Sequence, residues 1–190
     1  MTSIYTFVAY AAWGLILLVW IPSYFTTRKA VRRGQPLLQG MATSLIALAF
    51  FLLFQRRSNG LLGMRLTEVP APIALFADLV CFGAAGFAIW SRLTLGRNWS
   101  GVVASVGENH ELVVRGPYRY VRHPIYAGFL IAMLATATTI GTLASYLAVA
   151  VGLVAFLLRI RIEEALMLSQ FPVDYRAYQR QAPALLPGVF

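Results

Sequence analysis

The sequence predicts an all-α integral membrane protein with about five transmembrane helices, the last two forming a helical hairpin, and a short cytosolic C-terminal helix. The first observation is composition: of 190 residues, 59 % are hydrophobic and only 12 % are charged, and the mean hydropathy is +0.69. These values are far more apolar than a soluble domain needs. The second observation is four long apolar blocks. The third is that basic residues flank these blocks instead of gathering on one soluble face.

Each apolar block is long enough to be a candidate for crossing about 30 Å of hydrocarbon. The blocks cover 4–21, 37–54, 71–90 and 125–160. As a single helix, the fourth would reach about 54 Å at 1.5 Å per residue, so it predicts two helices that turn near 138–142. The first block has no Lys or Arg before it and no clear small-residue cleavage site after it. We therefore interpret it as a retained helix and not as a signal peptide.

The basic residues orient the predicted bundle. Three segments hold 13 of the 16 Lys and Arg: one follows the first helix, one joins the third helix to the fourth, and one runs from the end of the fifth helix at Arg159 into the C-terminal segment. By the positive-inside rule these segments face the cytosol. Trp20 and Trp90 then lie at cytosolic helix ends, where indoles favour the interface. This topology accounts for most of the net charge of +9 without nucleic acid as a partner.

Polar side chains concentrate before the fourth helix, in the segment GPYRYVRHPIYAGF that begins at Gly116. Pro124 suits the first turn of a helix because its missing N–H would be unpaired there anyway. His123 precedes a proline and is therefore expected to be extended. Arg122 and His123 then project from the mouth of the helix, where the helix dipole adds to the arginine charges. The segment predicts a site suited to an anion, facing the cytosol.

The rest of the loop between the third and fourth helices carries weaker signals. Two valine-rich stretches, 102–106 and 111–114, predict a short β-hairpin across the turn between them. His110 lies near Glu108 and Glu111, but no second cluster of strong ligands accompanies it, so no metal site is predicted. Asp78, an acid inside the third helix, is expected to hydrogen-bond as a structural residue or to meet an arginine of a neighbouring helix.

A tight hairpin of the last two helices brings the end of the fifth back to the level where the fourth begins. Glu163 and Glu164 should therefore lie beside Arg122 and His123. Carboxylates at a helix C-terminus are disfavoured by the helix dipole, which indicates that a cation compensates them. An ordinary pairing with Arg159 or Arg161 on the same helix is the alternative. Beyond them, a short helix carrying two tyrosines and two arginines ends at prolines.

These motifs resemble the isoprenylcysteine carboxyl methyltransferase family and its bacterial relatives. The resemblance covers 93–187, about half of the chain. Its core is Arg122-His123-Pro124-x-Tyr126-x-Gly128 followed, after an apolar hairpin, by Glu163-Glu164. LGRNWS, the stretch 110–113 and GPYRYVRHP are further shared elements.

The resemblance implies a membrane-embedded methyltransferase that uses S-adenosyl-L-methionine and has no soluble Rossmann domain. The apolar blocks predict a single membrane domain over 1–190 in which 1–91 forms three helices, and the resemblance implies that 92–190 forms the cofactor site. The residues implied for cofactor binding are His123, Pro124, Tyr126, Gly128, Glu164, Tyr175 and Tyr178. The residues implied for catalysis are Arg122, Glu163 and Arg180. Arg180 stands one position before Gln181, the slot at which family members often carry an arginine.

The implied acceptor is a lipophilic or prenylated molecule that enters from the bilayer, and the expected reaction is carboxyl O-methylation. A carboxylate is ionised at pH 7 and needs no general base, so the lack of a catalytic triad does not count against an enzyme. Three alternatives stay open: a phospholipid N-methyltransferase, a sterol-type reductase that uses NADPH, and a non-enzymatic bundle that binds or exports amphiphiles. The expected location is the bacterial inner membrane, among membrane lipids, with the active site facing the cytosol.

Overall fold

The structure, a computed structural model, describes residues 4–25, 30–33, 35–55, 60–99, 105–107 and 111–186. In chain order the elements are α1 (Ile4–Tyr24), β1 (Ala30–Arg33), α2 (Pro36–Phe54), α3 (Ala71–Leu95), β2 (Ser105–Gly107), α4 (Pro124–Ile140), α5 (Leu143–Gln170) and α6 (Asp174–Gln181). Some residues of the segments discussed above lie outside the described ranges, namely Arg28, Lys29, Arg56, Arg57, Glu108, His110 and 102–104.

The predicted set of five apolar helices with a C-terminal hairpin is confirmed. Four of them, α1, α2, α3 and α5, are long and apolar enough to cross a membrane. The fifth, α4, has 17 residues and reaches about 26 Å, so its full crossing stays a prediction. A short helix, α6, follows α5 as expected. The apolar outer surface of the bundle fits an integral membrane protein.

The turn between α4 and α5 lies where the sequence places it. Gly141 caps α4 with φ +74°, a left-handed conformation that favours glycine, and a Cβ there would meet the Thr67 carbonyl oxygen at 2.7 Å. The hydroxyl of Thr142 accepts from the Ser145 N–H and opens α5 with a capping box. The Leu66 N–H donates to the Gly141 carbonyl at 2.9 Å. The α2–α3 and α4–α5 connections therefore meet at one end of the bundle.

Close helix packing depends on small side chains. α3 packs along α4, α2 packs along α5, and α1 contacts α3 and α4. Gly128 on α4 allows a close approach to α3, because a Cβ there would lie 3.0 Å from the Ala84 carbonyl oxygen and 3.0 Å from the Ala88 Cβ. Small residues have this role in many membrane helix pairs. The outer faces carry large apolar side chains between 51 % and 70 % exposed, including Phe7, Leu18, Phe51, Phe76 and Leu79.

Asp78 has a hydrogen bond inside the bundle, in agreement with the structural role expected for it. Its side chain is 2 % exposed, and the Thr139 hydroxyl of α4 donates to Asp78 Oδ1 at 3.1 Å. Within the described ranges, no ion pair joins Asp78 to an arginine. The bond therefore links α3 to α4.

The predicted β-hairpin is wrong. β2 pairs with β1 in an antiparallel manner, with Arg32 opposite Val106 and Arg33 opposite Ser105, and 111–114 contains no strand. The reason is that the partner strand, β1, lies in the connection after α1. The sequence pattern does not indicate that two connections so far apart in the chain pair with each other. The pairing ties two connections at the end of the bundle opposite Gly141.

Candidate active site

The segment before α4 is folded against the C-terminal segment of the chain. The Arg122 N–H donates to the Pro183 carbonyl at 2.9 Å, and the His123 N–H donates to the Ala184 carbonyl at 2.9 Å. His123 has φ −125° and ψ 60°, so it avoids the helical region that a following proline disfavours without being fully extended as predicted. These bonds hold Arg122 and His123 at the mouth of α4.

The Arg122 side chain reaches both α5 and the C-terminal segment. Its Nε donates to Glu164 Oε1 at 2.8 Å. Its Nη1 donates to the Gln179 carbonyl at 3.3 Å and to the Ala182 carbonyl. Gln179 Nε2 donates to the other oxygen, Glu164 Oε2, at 3.0 Å. Glu164 is therefore held on both oxygens, and Arg122 links three parts of the chain.

His123 lies between the two carboxylates of α5. Its Nε2 is 3.3 Å from Glu164 Oε1, and its Nδ1 is 3.6 Å from Glu163 Oε2. Burial lowers the pKa of His123, but the hydrogen bonds and negative charges of Glu163 and Glu164 outweigh burial and raise this pKa above its ordinary value. The ring is 8 % exposed. The arrangement favours a protonated imidazolium.

Tyr126 and Arg159 hold the second carboxylate. The Tyr126 hydroxyl donates to Glu163 Oε1 at 2.5 Å, and Arg159 Nε donates to the same oxygen at 3.0 Å. The Tyr126 ring stacks on the ring of His123 with centroids 5.7 Å apart and on that of Phe156 at 4.9 Å. The sequence analysis expected a cation beside the two glutamates. Arg159 pairs with Glu163, and Arg122 pairs with Glu164.

A cavity opens beside these residues. Side chains from the end of α3, the segment before α4, α4, α5 and α6 surround it. The lining residues are Leu95, Asn98, Trp99, Glu111, Leu112, Val113, Tyr118, Arg122, His123, Ile125, Tyr126, Glu163, Leu166, Met167, Tyr175 and Tyr178. The space between them, including the open mouth, is about 820 Å³.

Tyr175 and Tyr178 place α6 against the cavity. Both side chains are buried, at 3 % and 6 % exposure, and their packing partners include Leu112 and Met167. Burial raises the pKa of both phenols, so both stay neutral and can donate hydrogen bonds. The Tyr178 hydroxyl donates to the Tyr118 carbonyl at 2.5 Å, which fixes α6 to the segment before α4.

The structure brings six of the ten predicted site residues to the cavity wall. They are Arg122, His123, Tyr126, Glu163, Tyr175 and Tyr178. Glu164 contacts Arg122 and His123 from behind the wall. Pro124 is buried as the first residue of α4, and Gly128 packs on α3. Arg180 and Gln181 are both exposed, and neither lines the cavity. The catalytic role predicted for Arg180 therefore has no supporting contact among the described residues.

Two residues near the site received no role from the sequence. Trp99 lines the cavity, and the Arg92 guanidinium lies over its ring, 4.3 Å from the centroid. Its motif LGRNWS was visible in the sequence, yet nothing there indicated that the indole faces a cavity. The second residue is Arg159, four residues before Glu163. This spacing predicts a pairing with Glu163, but it does not predict the contact of Arg159 with the Tyr126 hydroxyl at 3.4 Å.

Comparison with known proteins places these features in a family. The family model described as the isoprenylcysteine carboxyl methyltransferase family matches residues 75–169, half of the chain, including Glu163 and Glu164. The chain is 39 % identical over 94 residues to the Protein-S-isoprenylcysteine O-methyltransferase of Schizosaccharomyces pombe, a match covering 48 % of this chain and 40 % of that protein.

A second relative is the cobalt-zinc-cadmium resistance protein CzcN of Cupriavidus metallidurans. It is 37 % identical over 102 residues, covering 51 % of this chain and 45 % of that protein. The matched segment thus spans less than half the length of each of these two relatives.

The fold also matches a solved structure. That structure is the eukaryotic intramembrane Ras methyltransferase ICMT, an isoprenylcysteine carboxyl methyltransferase. The TM-score is 0.58 at 22 % identity, and the match covers 95 % of this chain and 62 % of that chain. The likeness shows a shared helical membrane fold. The family match and the shared motif residues lead to one conclusion: the chain belongs to the isoprenylcysteine carboxyl methyltransferase family.

Proposed function

We propose that this protein is a membrane-embedded, S-adenosyl-L-methionine-dependent methyltransferase that methylates the carboxyl group of a lipophilic acceptor. One observation carries the proposal: in a member of this family, Arg122, His123, Tyr126 and Glu163 converge on one cavity at the end of the helical bundle. The relative from Schizosaccharomyces pombe, an O-methyltransferase, supports methyl transfer. The charged and the apolar lining residues of the cavity support the choice of ligands.

The cavity suits the cofactor in its distribution of charge. Among the lining residues, Arg122, His123 and Glu163 offer charges of both signs, as a zwitterionic amino-acid group requires. Elsewhere, Leu95, Trp99 and Leu112 offer apolar and aromatic surface, which suits a flat purine. When bound, S-adenosyl-L-methionine supplies an electrophilic methyl group. The side chains hold and orient it and exclude competing water, and such alignment lowers the barrier by several kcal/mol.

The charged residues favour an acceptor that is already an anion. Glu163 accepts from Arg159 and Tyr126, Glu164 accepts from Arg122 and Gln179, and His123 faces both carboxylates. Glu111 lies only at the exposed rim. Glu163 and Glu164 are therefore paired with cations, which disfavours their taking a proton from a substrate. A carboxylate needs no such base at pH 7, whereas an ammonium group does.

Arg122 is the residue that we propose for the acceptor carboxylate. Its Nε and Nη1 are occupied by Glu164 and by carbonyls of the C-terminal segment. Among the described residues, Nη2 has no hydrogen-bond partner, and Arg122 lines the cavity. This nitrogen can therefore donate to an anionic group. The acceptor's lipophilic tail stays in the bilayer, where each CH₂ withdrawn from water contributes about 0.8 kcal/mol.

We further propose that the protein resides in the inner membrane of a bacterium with the site facing the cytosol. The arginine-rich segments between α3 and α4 and after α5 lie at the same end as the cavity. The positive-inside rule assigns that end to the cytosol. The acceptor, a prenylated or similar molecule, then reaches the site from the surrounding lipid.

Ligand binding separates the function classes. Binding of S-adenosylhomocysteine and of NADPH to the purified chain in detergent is measured by calorimetry. We expect binding of S-adenosylhomocysteine alone. Binding of NADPH alone would indicate a reductase, and binding of neither would favour a non-enzymatic amphiphile-binding bundle.

Methyl transfer then identifies the acceptor. Liposomes containing the protein receive labelled S-adenosyl-L-methionine and one of three acceptors: a prenylated thioether acid, its short soluble analogue, or phosphatidylethanolamine. We expect transfer to the prenylated acid and loss of transfer in Arg122→Ala. Equal transfer to the soluble analogue would contradict entry from the bilayer. Transfer only to phosphatidylethanolamine would indicate a phospholipid N-methyltransferase.

A further inference from the structure

The short helix α6 has two faces of opposite character. Its inner face carries Tyr175 and Tyr178, which are buried and line the cavity. Its outer face carries Arg176 and Arg180, which are both exposed. Residues four apart lie one turn apart on the same side of a helix, so the two guanidinium groups are neighbours. The helix is therefore a wall of the cavity on one side and a positively charged surface on the other.

No acidic side chain neutralises this outer face. Among the described residues, no ion pair includes Arg176 or Arg180. The same sign of charge predominates around them, because the exposed charged residues described at the cavity end of the bundle are six arginines and two acids. They are Arg97, Arg115, Arg119, Arg161, Arg176, Arg180, Glu111 and Asp174. A surface of this kind attracts an anionic partner.

The length of α5 places α6 at the level of the lipid headgroups. α5 has 28 residues and reaches about 42 Å, whereas the hydrocarbon layer is about 30 Å thick. Since α5 begins at the Gly141 end of the bundle, its excess length extends past the hydrocarbon at the cavity end. α6 begins four residues after α5 ends. The residue between them that precedes α6, Val173, is 76 % exposed, and an apolar side chain suits the boundary between headgroups and acyl chains.

We propose that Val173, Arg176 and Arg180 form a docking surface, the basic face of α6, for the headgroups of anionic phospholipids. Their spacing of three and four residues puts them on one side of the helix. A guanidinium can donate two parallel hydrogen bonds to a phosphate group, and its long stem can lie along apolar surface while the charge stays in water. The inference does not depend on the proposed methyl transfer. It gives Arg180 a role outside the cavity.

Lipid titration tests the basic face directly. Fluorescent phosphatidylglycerol and fluorescent phosphatidylcholine are titrated onto the purified 190-residue chain in a zwitterionic detergent. We expect the parent to bind phosphatidylglycerol more tightly than phosphatidylcholine. Each arginine near an anionic surface contributes a factor of roughly five. The double variant Arg176→Gln/Arg180→Gln should therefore bind phosphatidylglycerol at least roughly fivefold more weakly than the parent.

A matched control distinguishes the basic face from the overall charge of this end. The double variant Arg97→Gln/Arg161→Gln removes the same charge from exposed positions outside α6, and it should keep the parent's preference for phosphatidylglycerol. Arg176→Lys/Arg180→Lys keeps both charges and should bind this lipid more tightly than the glutamine variant. The preference of the parent should also weaken at high salt, because exposed charges are screened.

Thermal melting provides a second measurement in a bilayer. In nanodiscs, replacing half of the phosphatidylcholine by phosphatidylglycerol should raise the melting temperature of the parent, since a ligand that binds the folded chain stabilises it. The rise should be smaller for Arg176→Gln/Arg180→Gln. Equal rises for the two proteins would contradict a site on α6.

Two further outcomes would overturn the inference. Equal affinity of the parent for the two lipids would exclude a preference for anionic headgroups and would leave the basic face to an acidic protein partner. Equal losses in the α6 variant and in its control would indicate diffuse attraction to the charge of the whole end. None of these measurements uses the cofactor, so each result leaves the proposed methyl transfer to its own tests.

Discussion

The two ring nitrogens of His123 both face carboxylates. A neutral imidazole can donate from one nitrogen only, whereas an imidazolium can donate from both. Glu164 Oε1 is 3.3 Å from Nε2, and Glu163 Oε2 is 3.6 Å from Nδ1. The group that packs on the ring from α4 is the neutral Tyr126 phenol. A proton on His123 therefore links the start of α4 to the end of α5 by charge.

This proton makes stability depend on pH. Burial lowers the pKa of His123, but Glu163 and Glu164 raise it further, so the folded pKa lies above the unfolded value of about 6.5. The protonated ring stabilises the fold fully below about pH 6.5, and this contribution is lost as pH rises through the folded pKa. We expect the melting temperature of the parent in detergent to fall across this interval more steeply than that of His123→Gln. Parallel curves for the two proteins would contradict the expectation.

Glu164 carries the second residue-level prediction. Its oxygens accept from Arg122, His123 and Gln179, so Glu164→Gln removes the charge that orients Arg122 and His123. Loss of a charge-assisted hydrogen bond costs about 1.5 to 3 kcal/mol, which predicts a ten- to hundredfold weaker S-adenosylhomocysteine affinity. His123→Ala should act in the same direction. Glu68→Gln, at an exposed position, is the control. If folded Glu164→Gln binds S-adenosylhomocysteine as tightly as the parent, the cofactor pocket is not where we propose it.

Among the elements, the contact between α3 and α4 depends on Gly128. A methyl group at this position would collide with the Ala84 carbonyl oxygen and with Ala88, and backbone atoms cannot move aside cheaply. Gly128→Ala should therefore destabilise the protein by about 1 to 3 kcal/mol, as overpacking does. Gly86 lies on α3, where an added Cβ would meet no neighbouring atom within 4 Å, so Gly86→Ala should keep or raise the melting temperature. The opposite ranking of the two variants would place Gly128 outside the helix contact.

The elements also show what the sequence can predict. Long apolar runs located the helices because hydrocarbon demands them, and Gly141 marked the hairpin. The apolar block ended at Ile160 and the glutamates were expected at the helix C-terminus, whereas α5 continues to Gln170. Charged residues end an apolar run without ending a helix, so hydropathy did not predict the last turns of α5 beyond the glutamates. β1 was missed because four residues give too short a pattern. The strand predicted over 102–106 overlaps β2, but it was assigned the wrong partner.

The same reasoning separates the site residues. Arg122, His123 and the two glutamates could be brought together from the sequence, because a hairpin of two helices returns the chain to its starting level. Gly128 and Tyr126 stand two residues apart in one motif, yet one packs on α3 and the other lines the cavity. Only the rotation of α4 about its axis distinguishes them. Hydropathy does not fix that rotation.

For the whole molecule, topology is the testable property. The α2–α3 and α4–α5 connections meet at Gly141, and the cavity lies at the opposite end. We expect introduced cysteines at Gly107 and Gln181 to react only from the cytosolic side, and one at Glu68 to react from the periplasmic side. The parent is the blank because Cys81 is fully buried. Labelling at Gly107 or Gln181 from the periplasmic side would contradict the predicted orientation.

The hydrogen bonds of Arg122 also set an order of events during synthesis of the chain. Its partner Glu164 lies 42 residues further along, and Ala182 lies 60 residues further along. At about 5 to 20 residues per second of synthesis, Arg122 waits several seconds for the first partner and longer for the second. The hairpin can therefore form before the segment that closes over it exists. A ribosome that stalls between α5 and α6 leaves a protein with its membrane helices in place and its site unfinished.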